Sequence, residues 1–429
     1  MTAHFLSRAR MALVVMLSAL VMVTSGCATN PVTGETQLSL IGEGEEHQMG
    51  RENYQPTIQT QGGRFYLDPE LTVYIQEVGN KLAEVSDRPD LPYEFAVLNS
   101  SVPNAWALPG GKIAINRGLL VKLEDEAQLA SVLGHEIVHA AARHSVQRMQ
   151  QGMLLSAGMA GLGFALGDNE WGGLIMGGAA VGSQLALSQY SQSHELEADH
   201  YGIEYMVEAG YDPQAAVELQ EIFVKLSEGQ NSSFIDGLFA THPPSQARVD
   251  ANRKLAQKYD SGGYRGEDVY QRRIAEAKRL QPAYDLHDEA LKLAGQEDYQ
   301  AALAKVNEAI DMAPREAAFF ATRARLHEVL ENPEQADKDF DRAVELYPEM
   351  FSYRLMRGLN ELEAGNLDTA QADLEASAQV VPTTIAYLRL GDIAAQRGNR
   401  EKAAAYYNEV AKAGGELGQE ARQKLNNLQ

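Results

Sequence analysis

The chain has a single cysteine in 429 residues, Cys27. No disulfide can close within it, and no metal site built from paired thiolates is available. Basic charge is scarce as well: 37 lysines and arginines face 59 aspartates and glutamates, for a net charge of −22. That balance excludes the phosphate-gripping surface of a nucleic-acid-binding protein and an electrostatic hold on anionic lipid. Nucleic acid is therefore not among the expected partners.

The position of the lone cysteine carries information of its own. Arg8 and Arg10 precede an apolar run from Met11 to Val23, and the small residues Thr24, Ser25 and Gly26 lead to Cys27. This is the pattern of a bacterial lipoprotein signal over residues 1–26, with Cys27 as the lipidated N-terminus of the mature chain. Thr24 departs from it, since leucine is usual there. Ala28 in place of aspartate favours the outer membrane under the lipoprotein sorting pattern. The expected address is the periplasm of a Gram-negative bacterium, with a lipid anchor to the outer membrane. The remainder, at 45 % hydrophobic residues overall, has material for two domains with proper cores.

The most informative segment is Gly134-His135-Glu136-Ile137-Val138-His139. Positions i and i+4 of an α-helix share a face, so both imidazoles can converge on one metal ion. Glu136 then stands where a general base for an attacking water belongs. The helix itself is well signalled. Asp125 and Glu126 place negative charge at its start, no proline interrupts Ala127 to Ala142, and Leu129, Val132, Leu133, Val138 and Ala142 form an apolar stripe. Gly134 costs about 1 kcal/mol against alanine and leaves room beside His135 for close packing or substrate.

A third ligand is expected from Ser191-Gln192-Ser193-His194-Glu195-Leu196-Glu197-Ala198-Asp199, which again reads as helix. Glu195 and Asp199 share a face; one carboxylate can bind the metal while the other accepts the free N–H of a ligand histidine. His194 and Glu197 fall elsewhere and read as bystanders. Upstream, Val102 to Leu108 and Lys112 to Asn116 flank the turn signal Pro109-Gly110-Gly111. Its first arm, with Asn104, Trp106 and Ala107, reads as a substrate platform to which an extended peptide adds as a strand. A plain hairpin over the core is the alternative.

Four blocks carry a family resemblance across about residues 30 to 255: Asn30-Pro31-Val32-Thr33-Gly34, Asn104 to Gly111, the His135 helix and the Glu195 helix. Together they resemble the M48 family of zinc metalloproteases. The resemblance implies a zincin-type (gluzincin) α+β domain with a small edge sheet, binding one zinc ion per chain. It implies His135, His139 and Glu195 as ligands, Glu136 as catalytic base, and Asp199 as the carboxylate behind a ligand. It also implies that His242, in Thr241-His242-Pro243-Pro244, approaches the metal as a regulatory fourth ligand that keeps the enzyme dormant. Gln192 departs from the family, which often has arginine there, and puts any arginine-dependent contact at that point in doubt.

Between the two site helices, Gly152 to Gln189 carries only Asp168 and Glu170 as charges. Each half falls short of the roughly 20 residues of a membrane span. The expectation is a helix pair packed over the active site, with membrane dipping or substrate gating as the alternative.

Pro314, Pro348 and Pro382 recur every 34 residues, the period of tetratricopeptide helix pairs. Small residues fall in register at Ala302, Ala336, Ala370 and Ala403, with Phe340, Leu374 and Tyr407 four places on. The expected order is a peptidase domain over 27–265, a flexible point near Asp260 to Gly266, and a linker helix over 266–282. A repeat domain follows over 283–429, ending in a capping helix. The fold class is mainly α: the α+β peptidase domain, then an α-solenoid. Such arrays hold peptides or partner proteins on a concave face. The family members that carry both parts imply unfolded or misassembled outer-membrane proteins as substrates and the β-barrel assembly machinery as a partner. A chaperone or scaffold with a largely dormant site is the competing reading.

Overall fold

A computed structural model describes residues 27–151, 189–229, 241–259 and 262–428. The signal expected over 1–26 and nearly all of the Gly152–Gln189 segment lie outside them. No helix among the described residues is long and apolar enough to cross a membrane.

The N-terminal part is organised around a three-stranded sheet of β3 (Glu94–Leu98), β4 (Ala105–Leu108) and β5 (Lys112–Asn116), in the order β3-β5-β4. β5 pairs parallel with β3 and antiparallel with β4 across the tight turn at Gly110 and Gly111, both with positive φ. Both faces are covered, so the strands read as continuous apolar runs. One face, with Ala96, Leu98, Trp106, Leu108 and Ala114, meets Tyr54 and Ile58 of the helix Glu43–Thr60. The other, with Phe95, Val97, Ala105, Ala107, Ile113 and Ile115, joins the core around the helix Glu126–Ala141. β4 is left as an edge. A separate hairpin pairs β1 (Cys27–Thr29) with β2 (Thr36–Leu38).

Beyond residue 275 the chain is helical pairs. Ala275–Gly295 with Tyr299–Met312, Ala317–Val329 with Pro333–Leu346, Phe351–Glu363 with Leu367–Val380, and Thr384–Gln396 with Arg400–Ala413 form four hairpins. A last helix, Gly415–Leu428, closes the stack. Ala302, Ala336, Ala370 and Ala403 are fully buried, and Phe340, Leu374 and Tyr407 fill the space beside them. The sequence period and the helix period coincide because each pair buries one small and one bulky side chain against its neighbour.

Asp260 and Ser261 of the expected flexible point lie outside the described residues, and the residues after them are tied to the rest of the chain. Tyr264 N–H donates to Gly210 O, Ala127 N–H donates to Arg265 O, and Arg265 pairs with Asp125 and Glu218. Two helices follow, Glu267–Arg273 and Ala275–Gly295, divided at Ile274. Tyr270, Ile274, Ala277 and Leu280 are buried in the same core as the sheet. These apolar residues bind the repeats to the core around the sheet. Contact continues into the second pair: Tyr66 OH donates to Arg315 O, and Arg64 N–H donates to Tyr347 OH.

Candidate metal centre

The helix Glu126–Ala141 starts at Asp125, whose side chain accepts from Gln128 N–H. The helix Gln192–Glu208 starts at Ser191, which caps His194 N–H. The two cross where Gly134 meets Gly202: a Cβ on Gly134 would stand 3.0 Å from Gly202 O, and one on Gly202 3.0 Å from His135 N. The room that Gly134 leaves is taken by helix packing, and that close approach brings Glu195 to His135 and His139.

His135 Nε2 lies 3.0 Å from His139 Nε2 and 3.3 Å from His242 Nδ1. Glu195 Oε1 is 3.4 Å from His139 Nε2 and 3.0 Å from His242 Nδ1; its Oε2 is 3.5 Å from His135 Nε2. Zinc–ligand bonds of about 2.0–2.1 Å give a tetrahedron with edges of about 3.3 Å. The distances given above, 3.0–3.5 Å, are near that spacing, and all four donors lie within 4.8 Å of one another. The donor set fits a tetrahedral zinc ion, with His242 entering through Nδ1.

Glu136 is buried at the edge of this cluster. One of its oxygens is 3.4 Å from His242 Nε2 and the other has no hydrogen-bond partner. Burial raises its pKa, against the opposing pull of His242 and His135. Burial also pushes the His135 imidazole down, but Glu195 and Asp199 outweigh it and hold the ring at about 10 in the absence of a cation. Burial, helped by the neighbouring His135 and His144 and opposed by Glu195, keeps His139 well below its ordinary value. Glu195 would rise on burial, yet His242 and His135 hold it well below the usual carboxylate range.

Two groups behind the ligands escaped the sequence reading. Arg248, on the helix Gln246–Ala256, donates through Nε and Nη2 to both oxygens of Asp199 at 2.7 Å. Its Nη1 is 2.7 Å from Glu195. Asp199 in turn accepts from His135 Nδ1 at 2.9 Å, which fixes the tautomer that leaves Nε2 free for a metal. Burial would raise Asp199, and Arg248 reverses this. The arginine stands six residues past His242, where Ser245 caps a new helix. Gln192 is exposed, so that departure does not reach the ligands.

Behind His139 runs a second chain. His139 Nδ1 is 2.8 Å from His144 Nδ1, His144 Nε2 is 3.2 Å from Glu197, and Asn30 Nδ2 donates to the same oxygen at 3.1 Å. Glu197 is thus not the bystander it seemed in the sequence, while His194 only stacks on His144. Facing away from the metal on the helix is compatible with acting on it through a neighbour. The ring of Tyr190 also stacks on His139, with centroids 3.7 Å apart.

The expected substrate platform is altered. The Trp106 indole is 1 % exposed, packed edge-on against Tyr54 and donating to Gln61, on the sheet face away from the histidines. It offers nothing to a ligand. Asn116 N–H donates to Asn104 O, so the backbones of Asn104 and Trp106 face β5. Ala105 and Ala107 then face the open edge. Ala107 O already accepts from Ser145 Oγ at 2.9 Å, and the Asn104 side chain accepts from Thr241 Oγ at 3.1 Å.

Residues 69–256 match the model of peptidase family M48, and residues 287–351 and 355–416 match a tetratricopeptide repeat model. The beta-barrel assembly-enhancing protease of Escherichia coli K12 is 30 % identical over 258 residues, 59 % of this chain and 52 % of that protein. The mitochondrial metalloendopeptidase OMA1 of Schizosaccharomyces pombe is 29 % identical over 222 residues, 51 % of this chain and 63 % of that protein. The chain thus spans about half to two thirds of the length of these curated relatives. A crystal structure of MamA covers 34 % of this chain at 15 % identity and a TM-score of 0.29. The chain combines a peptidase domain of family M48 with C-terminal tetratricopeptide repeats.

Proposed function

We propose that the protein is a zinc endopeptidase for unfolded polypeptides in the periplasm, held shut at rest by His242. The observation that carries this reading is the near-tetrahedral spacing of His135, His139, Glu195 and His242 beside a buried, unpaired Glu136 oxygen. One zinc ion per chain would be held by these residues and would supply Lewis acidity to a scissile carbonyl and to water. Glu136 takes the proton from the attacking water and delivers it to the leaving amine. Asp199 and Arg248 hold His135 and Glu195 in place. Leu119, Val132, Leu219 and Phe223 line a small cavity of about 30 Å³ beside Glu136 and form an apolar wall next to the cleaved bond.

His242 closes the site in two ways at once. Its Nδ1 takes the position that a substrate or water needs, and its Nε2 faces the base at 3.4 Å. Four protein ligands make a site of the structural type, whereas a catalytic site keeps one position open. His242→Ala at saturating zinc is expected to cleave β-casein at least about tenfold faster, since one decade corresponds to only about 1.4 kcal/mol of barrier. Unchanged or slower cleavage would remove the brake.

The name of the Escherichia coli relative points to β-barrel assembly. Extended to this chain, the substrates are misassembled outer-membrane proteins, and the repeats hold them or the β-barrel assembly machinery. Cys27 anchors the enzyme to the outer membrane by its lipid. In cells, Cys27→Ala should then move the protein from the membrane pellet to the aqueous fraction; retention in the pellet would argue for a different attachment. A scaffold whose zinc site stays shut is the second reading, and the nearness of His242 Nδ1 to His135 and Glu195 is the observation in its favour.

A further inference from the structure

A cavity of about 450 Å³ lies where the end of the peptidase sheet meets the first repeat helices. Gln61, Asn99 and Asn116 line it from the peptidase side, and Tyr284, Leu291 and Ala318 from the repeats. The three amides are each held at one end only. Gln61 Oε1 accepts from Trp106, Asn99 Nδ2 donates to Glu316, and Asn116 Nδ2 donates to Val102 O. Their other ends, Gln61 Nε2, Asn99 Oδ1 and Asn116 Oδ1, are buried and have no hydrogen-bond partner. Asn116 as a whole is 3 % exposed. Buried amides without partners are uncommon, because burial removes water and nothing replaces it. One donor and two acceptors, all uncharged and set just beneath the lining, match the N–H and C=O groups of a peptide backbone once their side chains turn outward. Leu291, 48 % exposed, adds an apolar contact, while Asp288 on the same wall disfavours an anion.

The cavity and the metal centre are lined by neighbouring residues at the start of β4. Ala105 lines the space around His135 and Glu136, and its neighbour Asn104 lines the junction cavity. Asn104 is also the residue to which Thr241 donates, next to His242. A chain added to the outer edge of β4 runs past Asn104 into the junction.

We propose that this junction cavity is a second binding site for the unfolded polypeptide, gripping an extended segment some residues away from the cleaved bond. The proposal rests on the peptidase reading above for the course of the chain along β4, and it makes the repeats part of the substrate cleft.

The test uses the full-length, zinc-loaded Glu136→Gln protein and fluorescein-labelled β-casein, with binding followed by anisotropy. Leu291→Arg, a change at an exposed position that leaves the core intact, should weaken binding by at least about fivefold, the loss typical of a contributing contact. Val329→Arg, at a repeat position 55 % exposed and outside the cavity, should leave it unchanged. A benzophenone amino acid at position 291 should cross-link to β-casein, and one at position 329 should not. Binding by Leu291→Arg within about twofold of the parent, or equal cross-linking at both positions, overturns the proposal. The peptidase reading fails separately, if zinc-loaded wild type and His242→Ala both leave β-casein intact while Leu291→Arg still weakens its binding.

Discussion

Glu136→Gln should abolish cleavage of unfolded protein while leaving one zinc per chain in place. The amide has the size of the carboxylate it replaces and is not among the four donors at ligand spacing, so the metal content is expected to hold. What is lost is the proton acceptor. General-base catalysis contributes about 10²–10⁴ in rate, or roughly 3–5.5 kcal/mol of barrier. In this site the upper end is expected, because among the described residues no other carboxylate beside the candidate ligands is free to substitute. Glu195 is held by Arg248 and faces three histidines, and Asp199 is taken by Arg248 and His135. The measurement is kcat on β-casein in the His242→Ala background, with zinc counted by mass spectrometry.

The same substitution separates the enzyme from the scaffold. A scaffold has no use for a base, so clearance of a stalled β-barrel protein in cells would be equal in wild type and Glu136→Gln. An enzyme gives accumulation in the variant. Buried, with one oxygen unpaired and its pKa raised, Glu136 is a costly residue for a fold to carry without a chemical use.

Much of the centre was legible because its signals are local. His135 and His139 declare themselves by helical spacing, Glu195 and Asp199 by the same spacing on a second helix, and the repeats by their 34-residue period. Other features were hidden for physical reasons. Strand β4 is buried on both faces, so alternation of apolar and polar residues could not tell that Trp106 turns away from the histidines. The chain from His139 through His144 to Glu197 and Asn30 joins three distant segments, and no spacing rule links them. Apolar residues at 270, 274, 277 and 280 were helical in pattern, but the pattern could not say that the face they form packs on the peptidase core.

Arg248 is the clearest case of a group that only the fold reveals, and it leads to the second large expected effect. Its guanidinium is 3 % exposed and sits between two carboxylates, bidentate to Asp199 and single to Glu195. Arg248→Met keeps the length of the side chain and removes the charge. Asp199 is then left with His135 Nδ1 as its partner, and Glu195 loses a cation on the side away from the histidines. Breaking one member out of a buried ion pair costs about 3–5 kcal/mol, far more than the pair itself contributes, because the remaining charge stays buried without compensation. For a domain of this size that corresponds to roughly a 10 °C fall in Tm, measurable by calorimetry on the zinc-loaded protein. Zinc binding should weaken by about 10–100-fold through the looser hold on His135, read from competition with a chelator. Asp199→Asn combined with Arg248→Met should recover part of the stability, since the uncompensated charge is gone, but not the zinc affinity. A zinc affinity equal to wild type in Arg248→Met would mean that the helix crossing at Gly134 and Gly202 positions the ligands without help.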